Sequence, residues 1–146
     1  MGPSCLCHHV DVAGPVEGLA RLERAAEAGV IDALCERHGV RLLTVFGSTA
    51  RGEPDPRDLD VAVLFEHGVR PELLALMADL ADLAGVDVDL AHLNRAGPVL
   101  RERALLGAVG LYESERGALA TAGTAALGER IDTDRSRRRD LELLAE

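Results

Sequence analysis

Apolar positions recur at helical spacing over residues 16–38, where Leu19, Leu22 and Ala26 form a stripe that Val30, Ile31, Leu34 and Cys35 continue. Gly29 interrupts that stripe and predicts two helices in place of one, and Gly39 predicts the stop. The period then changes. Residues 40–46 (VRLLTVF) are a β-branched and aliphatic run bounded by glycines, and residues 58–65 (DLDVAVLF) are a second such run, so both read as buried strands. Pro71 fits the first turn of a helix carried by Leu73, Met77, Leu80 and Leu83, with Gly85 as its C-terminal cap. Residues 86–93 (VDVDLAHL) alternate with period two and predict a third strand.

Pro98 opens a helix running to about Leu106, residues 110–112 add a short edge strand, and Ser114 suits the N-cap of helical material towards the C-terminus, where Gly123 and Gly128 interrupt the pattern. Residues 1–14 have no period and contain Gly2, Pro3 and Gly14, which predicts a flexible tail ahead of a single domain over residues 15–146. The order α-β-turn-β-α-β-α describes a small α/β (α+β) domain, a mixed sheet with helices packed on one face.

Composition narrows what such a domain can do. A chain of 146 residues buries roughly two-thirds of its unfolded surface. Its core must be Leu, Val and Ala, because the only aromatic residues are Phe46, Phe65 and Tyr112. So few rings exclude base stacking as the mode of action, and a formal charge of -9 argues against direct nucleic-acid binding. A triphosphate carried with Mg²⁺ is a different matter, since the cation makes carboxylates useful. Three cysteines, Cys5, Cys7 and Cys35, without a basic-then-apolar leader give no disulfide framework and lead to a cytoplasmic expectation. No apolar run reaches the roughly 18 residues of a spanning helix, so no membrane role is expected.

The chemistry concentrates between Phe46 and Asp60. Gly47 follows a predicted strand directly and Ser48 follows Gly47, so a phosphate can approach the backbone and bond to the serine hydroxyl; a helical turn over residues 49–51 would add free N–H groups. Asp58 and Asp60, two apart on a strand, project from one face and can share hard cations. On the next strand Asp89 can complete a two-metal cluster, although Asp87 shares its face and spacing does not choose between them. Arg51 suits a phosphate and equally an anchoring pair with Glu53.

Phe46-Gly-Ser-Thr-Ala-Arg-Gly, then Asp58-Leu-Asp60, then Val88-Asp89-Leu90 in that order resembles the polymerase β type of nucleotidyltransferase. Within it, FGSTARGEPDPRDLDVAVLF followed by VDLAHLNRAGPVLRERALLGAVGLYE is similar to the minimal nucleotidyltransferases (MNT) encoded beside HEPN toxins, over about residues 40–113. The resemblance implies a polymerase β-like fold, a triphosphate held by Gly47 and Ser48, metals bound by Asp58, Asp60 and Asp89, and Asp89 in preference to Asp87 from the Val-Asp-Leu match. Two departures stand out: Arg57 occupies a position that is usually serine, and the interval from Ser48 to Asp58 is one residue short.

The activity implied is transfer of AMP from ATP, with two Mg²⁺ ions, to a tyrosine hydroxyl of a HEPN ribonuclease toxin, making this chain an antitoxin. The rival readings are an MNT-fold antitoxin that neutralises by contact alone and a small-molecule nucleotidyltransferase. Plainer roles compete for single residues: Asp58, Asp60 and Asp89 as solvated strand residues, His38 and His92 as ordinary surface or strand-end groups, and Arg135, Arg137, Arg138 and Arg139 as a solvated helix face. Cys5, Cys7, His8 and His9 form a crowded set of soft ligands without the second half-site of a zinc motif.

Overall fold

The computed structural model describes residues 14–145. The expected tail over residues 1–14, with Cys5, Cys7, His8 and His9, lies outside the described residues except for Gly14. Helices α1 (Pro15–Glu27) and α2 (Val30–His38) meet at Gly29, and Gly39 caps α2 in a left-handed conformation. Strand β1 (Val40–Phe46) leads straight into a single turn, α3 (Gly47–Ala50), and a loop returns the chain to β2 (Asp60–Phe65). Then come α4 (Leu73–Ala84), β3 (Asp89–His92), a 3-10 turn (Leu93–Arg95), α5 (Pro98–Leu105), β4 (Val109–Glu113) and α6 (Ala118–Ala145).

The four strands form one mixed sheet in the order β3-β2-β1-β4. β1 is antiparallel to both of its neighbours, and β2 and β3 are parallel, with α4 providing the crossover that a parallel pair requires. Being central, β1 is covered on both sides, and so it reads as an apolar run broken only by Arg41 and Thr44. One face of the sheet, with Leu43, Val45, Val61 and Val63, packs on Leu22, Ile31, Leu34, Leu76 and Leu80 of α1, α2 and α4. The packed face expected from the sequence is there. A second layer covers the other face, where Leu42, Phe46 and Ala62 meet Leu93, Ala104, Leu105, Ala118 and Ala126 from the segment around α5 and α6.

Two side chains stitch this second layer to the sheet. The hydroxyl of Thr44, fully buried, donates to Ala104 O at 2.8 Å. Asn94 accepts from Phe65 N at 2.8 Å and donates to Phe65 O at 3.1 Å, so one amide side chain continues the β2 ladder beyond the end of β3.

Several boundaries differ from the sequence reading. Asp58 and Leu59 precede β2 in extended chain, and residues 86–88 precede β3, whose pairing with β2 starts at Asp60 opposite Asp89. Pro71 stands ahead of α4, which begins at Leu73 behind Glu72. The last helix starts at Ala118, not behind Ser114; the carboxylate of Glu113, at the end of β4, accepts from Leu119 N at 3.0 Å and serves its free N-terminus. Gly123 and Gly128 lie inside that helix. Gly123 permits close packing, since a Cβ there would meet Leu106 Cδ2 at 3.2 Å.

Replacing Thr44 by Val keeps the shape and leaves Ala104 O without its buried donor. Thr44→Val is expected to lower unfolding free energy by about 1–3 kcal/mol, read as a lower urea midpoint at unchanged slope.

Candidate active site

The edge of the sheet where β1 ends and β2 begins gathers most of the residues singled out from the sequence. Phe46 pairs with Asp60, so the turn after β1 and the start of β2 are fixed side by side. Gly47 has φ +78°, and a Cβ on it would sit 2.6 Å from Asp60 Oδ2. Both the left-handed backbone and the approach of the carboxylate therefore call for glycine at this position. Ser48 follows, half-buried, in the single turn α3.

Thr49, which sequence reasoning passed over, is buried and donates from Oγ1 to Asp58 O at 2.6 Å. That bond ties the turn carrying Ser48 to the backbone presenting Asp58. The only hint in the sequence was a small hydroxyl residue inside the Gly-Ser-Thr run.

In the parallel ladder Asp60 stands opposite Asp89, and Asp89 N donates to Leu59 O at 3.0 Å. Alternation puts Asp60 with Ala62 and Asp89 with Ala91, on the α5 side of the sheet. Burial pushes the Asp60 carboxyl above the usual 3.8, and the charges of Asp89 and Asp58 push it further. Arg103 and Arg51 act in the opposite direction. The charges of Asp58, from the chain leading into β2, and of Asp89, from β3, thus both act on Asp60. Asp87, one of the two aspartates that spacing left open, lies outside β3 and is not among the charges acting on Asp60.

Beside these carboxylates lies a cavity of about 300 Å³ lined by Pro15, Arg57, Asp58, Leu59, Val86, Asp87 and Asp89. Close packing of α1 forms one wall, because a Cβ on Gly18 would meet Val86 Cγ2 at 2.7 Å and Leu59 Cδ2 at 3.0 Å. A larger hollow of about 490 Å³ between α2 and α4, lined by residues such as Val30, Ala33 and Leu83, contains none of the candidate groups. Chemistry, not size, selects the smaller cavity.

The remaining candidates take plainer places. Arg51 pairs with both carboxylate oxygens of Glu53, at 3.2 and 3.3 Å. His38 Nε2 lies 3.2 Å from Asp79 Oδ2, and the His92 ring packs edge-on against Phe65 at 5.4 Å between centroids. Cys35 is buried in the core, with its thiol pushed up to about 12 by burial and then by Asp32 and Glu36, so it is neither nucleophile nor ligand. Arg135, Arg137, Arg138 and Arg139 are exposed along α6. Among the described residues no helix is long and apolar enough to cross a membrane.

Comparison with known proteins bears on the family and the fold. The family described as Polymerase beta, Nucleotidyltransferase matches residues 30–117. A Methanocaldococcus jannaschii protein named as a candidate protein adenylyltransferase is 36% identical over 75 residues, covering 50% of this chain and 81% of that protein. The solved structure of a candidate minimal nucleotidyltransferase is 39% identical, with a TM-score of 0.50 over 64% of this chain and 93% of the other. A chain from the complex of a tri-AMPylated Shewanella oneidensis HEPN toxin with MNT antitoxin shares the fold at 20% identity, with a TM-score of 0.60 over 85% of this chain and 99% of that one.

Two stability measurements probe this arrangement. Gly47→Ala forces a left-handed alanine against Asp60 and is expected to cost about 1–2 kcal/mol from the backbone alone, seen as a lower urea midpoint. For Asp60, a folded-state pKa above the unfolded one means that its contribution to stability is complete below 3.8 and is lost as pH rises through the raised value. In chelator-treated protein, Asp60→Asn is therefore expected to melt above the parent at neutral pH, with the gap closing towards about pH 4. A gap independent of pH would mean that the carboxylates do not interact in this way.

Proposed function

The chain belongs to the polymerase β nucleotidyltransferase family, and from that premise we propose that it is an MNT-type protein adenylyltransferase acting as an antitoxin. It transfers AMP from ATP to a tyrosine hydroxyl of a HEPN toxin. The observation that carries this reading is the meeting of Asp58, Asp60 and Asp89 beside the glycine turn of Gly47 and Ser48. The candidate adenylyltransferase from Methanocaldococcus supports the AMP-transfer chemistry, and the AMPylated HEPN toxin found with an MNT antitoxin of this fold supports the acceptor.

Ser48, half-buried in the single turn that follows Gly47, donates from its hydroxyl to the triphosphate. Arg51, held by Glu53, flanks the same turn and adds positive charge. Asp58, Asp60 and Asp89 offer only oxygen donors, which suit Mg²⁺, and their mutual repulsion is relieved by a cation. Among the described residues no group of three or more such side chains is placed to hold a metal ion by itself. What Mg²⁺ contributes when bound is neutralisation of the triphosphate and of the departing pyrophosphate.

The reaction asks of the protein mainly alignment. The tyrosine oxygen forms a bond to the α-phosphorus, the bond from that phosphorus to the bridging oxygen breaks, and pyrophosphate leaves with the electron pair. Asp89, which lines the cavity, accepts the hydroxyl proton. Arg57 on the wall of that cavity favours the contact-only antitoxin as the second reading, since its cation stands among the carboxylates that metals would occupy.

Intact mass of this chain and its HEPN partner after incubation with ATP and Mg²⁺ separates the two. One or more AMP units are expected on the partner, with the rate falling at least about a hundredfold in Asp58→Asn and in Asp60→Asn. Neutralisation of the toxin by the double variant, without any AMP on the partner, would establish the contact-only reading.

A further inference from the structure

Helix α6 outruns the fold that supports it. It packs on α5, β1 and β4, and its last ion pairs to another element join Glu129 to Arg101 and Arg130 to Glu102. Every residue from Arg135 to Ala145 is exposed, a projecting length of about 16 Å. This end carries Leu141, Leu143 and Leu144 at 65, 63 and 83% exposure, directly after Arg135, Arg137, Arg138 and Arg139. Leu141 and Leu144 are three apart and share a face, and Arg137 and Arg138 precede Leu141 on that face by one turn. Leucines gathered and exposed in this way mark a contact surface.

The hollow of about 490 Å³ between α2 and α4 has the opposite character. Val30, Ala33, Leu34 and Leu83 give it an apolar lining, with Val30 itself 45% exposed. Asp79 and Asp82 add carboxylates from α4, and Arg37 adds one cation from α2. That cation lies 3.5 Å from Asp79 and is already matched, whereas among the described residues Asp82 has no ion-pair partner. The hollow is therefore apolar with an acidic margin, and the helix end is apolar with a basic one.

We propose that the end of α6 of one copy docks in the α2–α4 hollow of a second copy of this chain, Leu141 and Leu144 on the apolar lining and the arginines one turn earlier against Asp82 and Asp79. The two surfaces of one chain do not meet each other. Helices α2 and α4 cover one face of the sheet and α6 covers the other, and α6 is one continuous helix that does not turn back. The occupant of the hollow is thus a separate molecule, and the charge pattern of this chain identifies a like copy. Four of its sixteen basic residues fall within residues 135–139, while the whole chain carries a formal charge of -9. The basic end of one copy is attracted to the acidic body of the next, and a helix laying leucines into an apolar groove is a recurrent mode of docking. Each copy has both surfaces, so a pair exchanges helix ends reciprocally and forms the contact twice.

Analytical ultracentrifugation of the full chain over a range of concentrations tests this. The parent is expected to approach the mass of two chains by about 100 μM, the range of a weak specific contact. Leu144→Glu on the helix end and Ala33→Glu in the hollow both alter exposed positions, so the variants are expected to fold, and each is expected to weaken association at least about tenfold. Asp82→Arg is expected to act in the same direction. A mixture of Leu144→Glu with Ala33→Glu is expected to regain part of the association, because the first retains an intact hollow and the second an intact helix end. A parent that stays monomeric at that concentration would overturn the proposal, and loss of HEPN binding in Leu144→Glu would then assign the helix end to the toxin. Association abolished by Leu144→Glu but untouched by Ala33→Glu and Asp82→Arg would overturn it too, since helix end would then meet helix end.

Discussion

Asp60 and Asp89 face each other across the parallel β2–β3 ladder, and much of the local architecture follows from holding two like charges there. Pairing in register leaves the side chains no freedom to separate along the strands, and Asp58 adds a third charge from the chain leading into β2. What holds them is the sheet. Val61 and Val63 of β2 are fully buried between β1 and the helices of the opposite layer, so β2 cannot shift its register without exposing them. The Leu59 carbonyl accepts from Asp89 N, and the Thr49 hydroxyl holds Asp58 from the other side. Gly47 then yields space to the crowded carboxylate by taking a left-handed turn. An apolar core thus maintains an arrangement that electrostatics alone would disperse, a conflict of the kind expected at functional sites.

The legible parts of the fold were those where one physical cause dominated. β1 was legible because burial on both faces leaves only Arg41 and Thr44 as polar residues in an otherwise apolar run, and α2 ends at Gly39 because a left-handed C-cap has few other solutions. Strand starts were harder. Residues 58–59 and 86–88 have strand-like composition, but whether they pair depends on where a partner strand begins, which is a property of the sheet and not of either segment. Gly123 and Gly128 resembled breaks, yet the surrounding residues are good helix formers and Gly123 is needed for contact with α5. The missed helix start has the same origin: Glu113 acts as a cap from the end of β4, too far upstream for a local rule to find.

For the site, order along the chain was informative where local spacing was not. Spacing left Asp87 and Asp89 equivalent; the ladder register separates them by placing Asp89 opposite Asp60. Thr49 and Arg103 left almost no trace in the sequence, since a buried threonine bond and a long-range charge depend on elements distant in the chain. Arg57, prominent as a departure from the family pattern, lies on the cavity wall beyond Asp58. It adds a cation beside Asp58 and Asp89, whereas the cations acting on Asp60 are Arg103 and Arg51.

On the adenylyltransferase reading, an acceptor hydroxyl would meet the α-phosphorus in the cavity beside the carboxylates, which measures about 300 Å³ and whose wall includes Pro15, Arg57 and Asp87. Such a space lies at the small end for enclosing an independent organic substrate, and among the described residues its lining is mainly charged, with Pro15, Leu59 and Val86 as the apolar part. It is sufficient for a single side chain. A tyrosine delivered on a folded surface brings its own orientation and ordering, so the cavity need only align the hydroxyl with the α-phosphorus and leave Asp89 within reach of its proton. A small soluble alcohol would have to obtain that alignment from the cavity alone, which is why the adenylyltransferase reading looks to an acceptor carried by another protein.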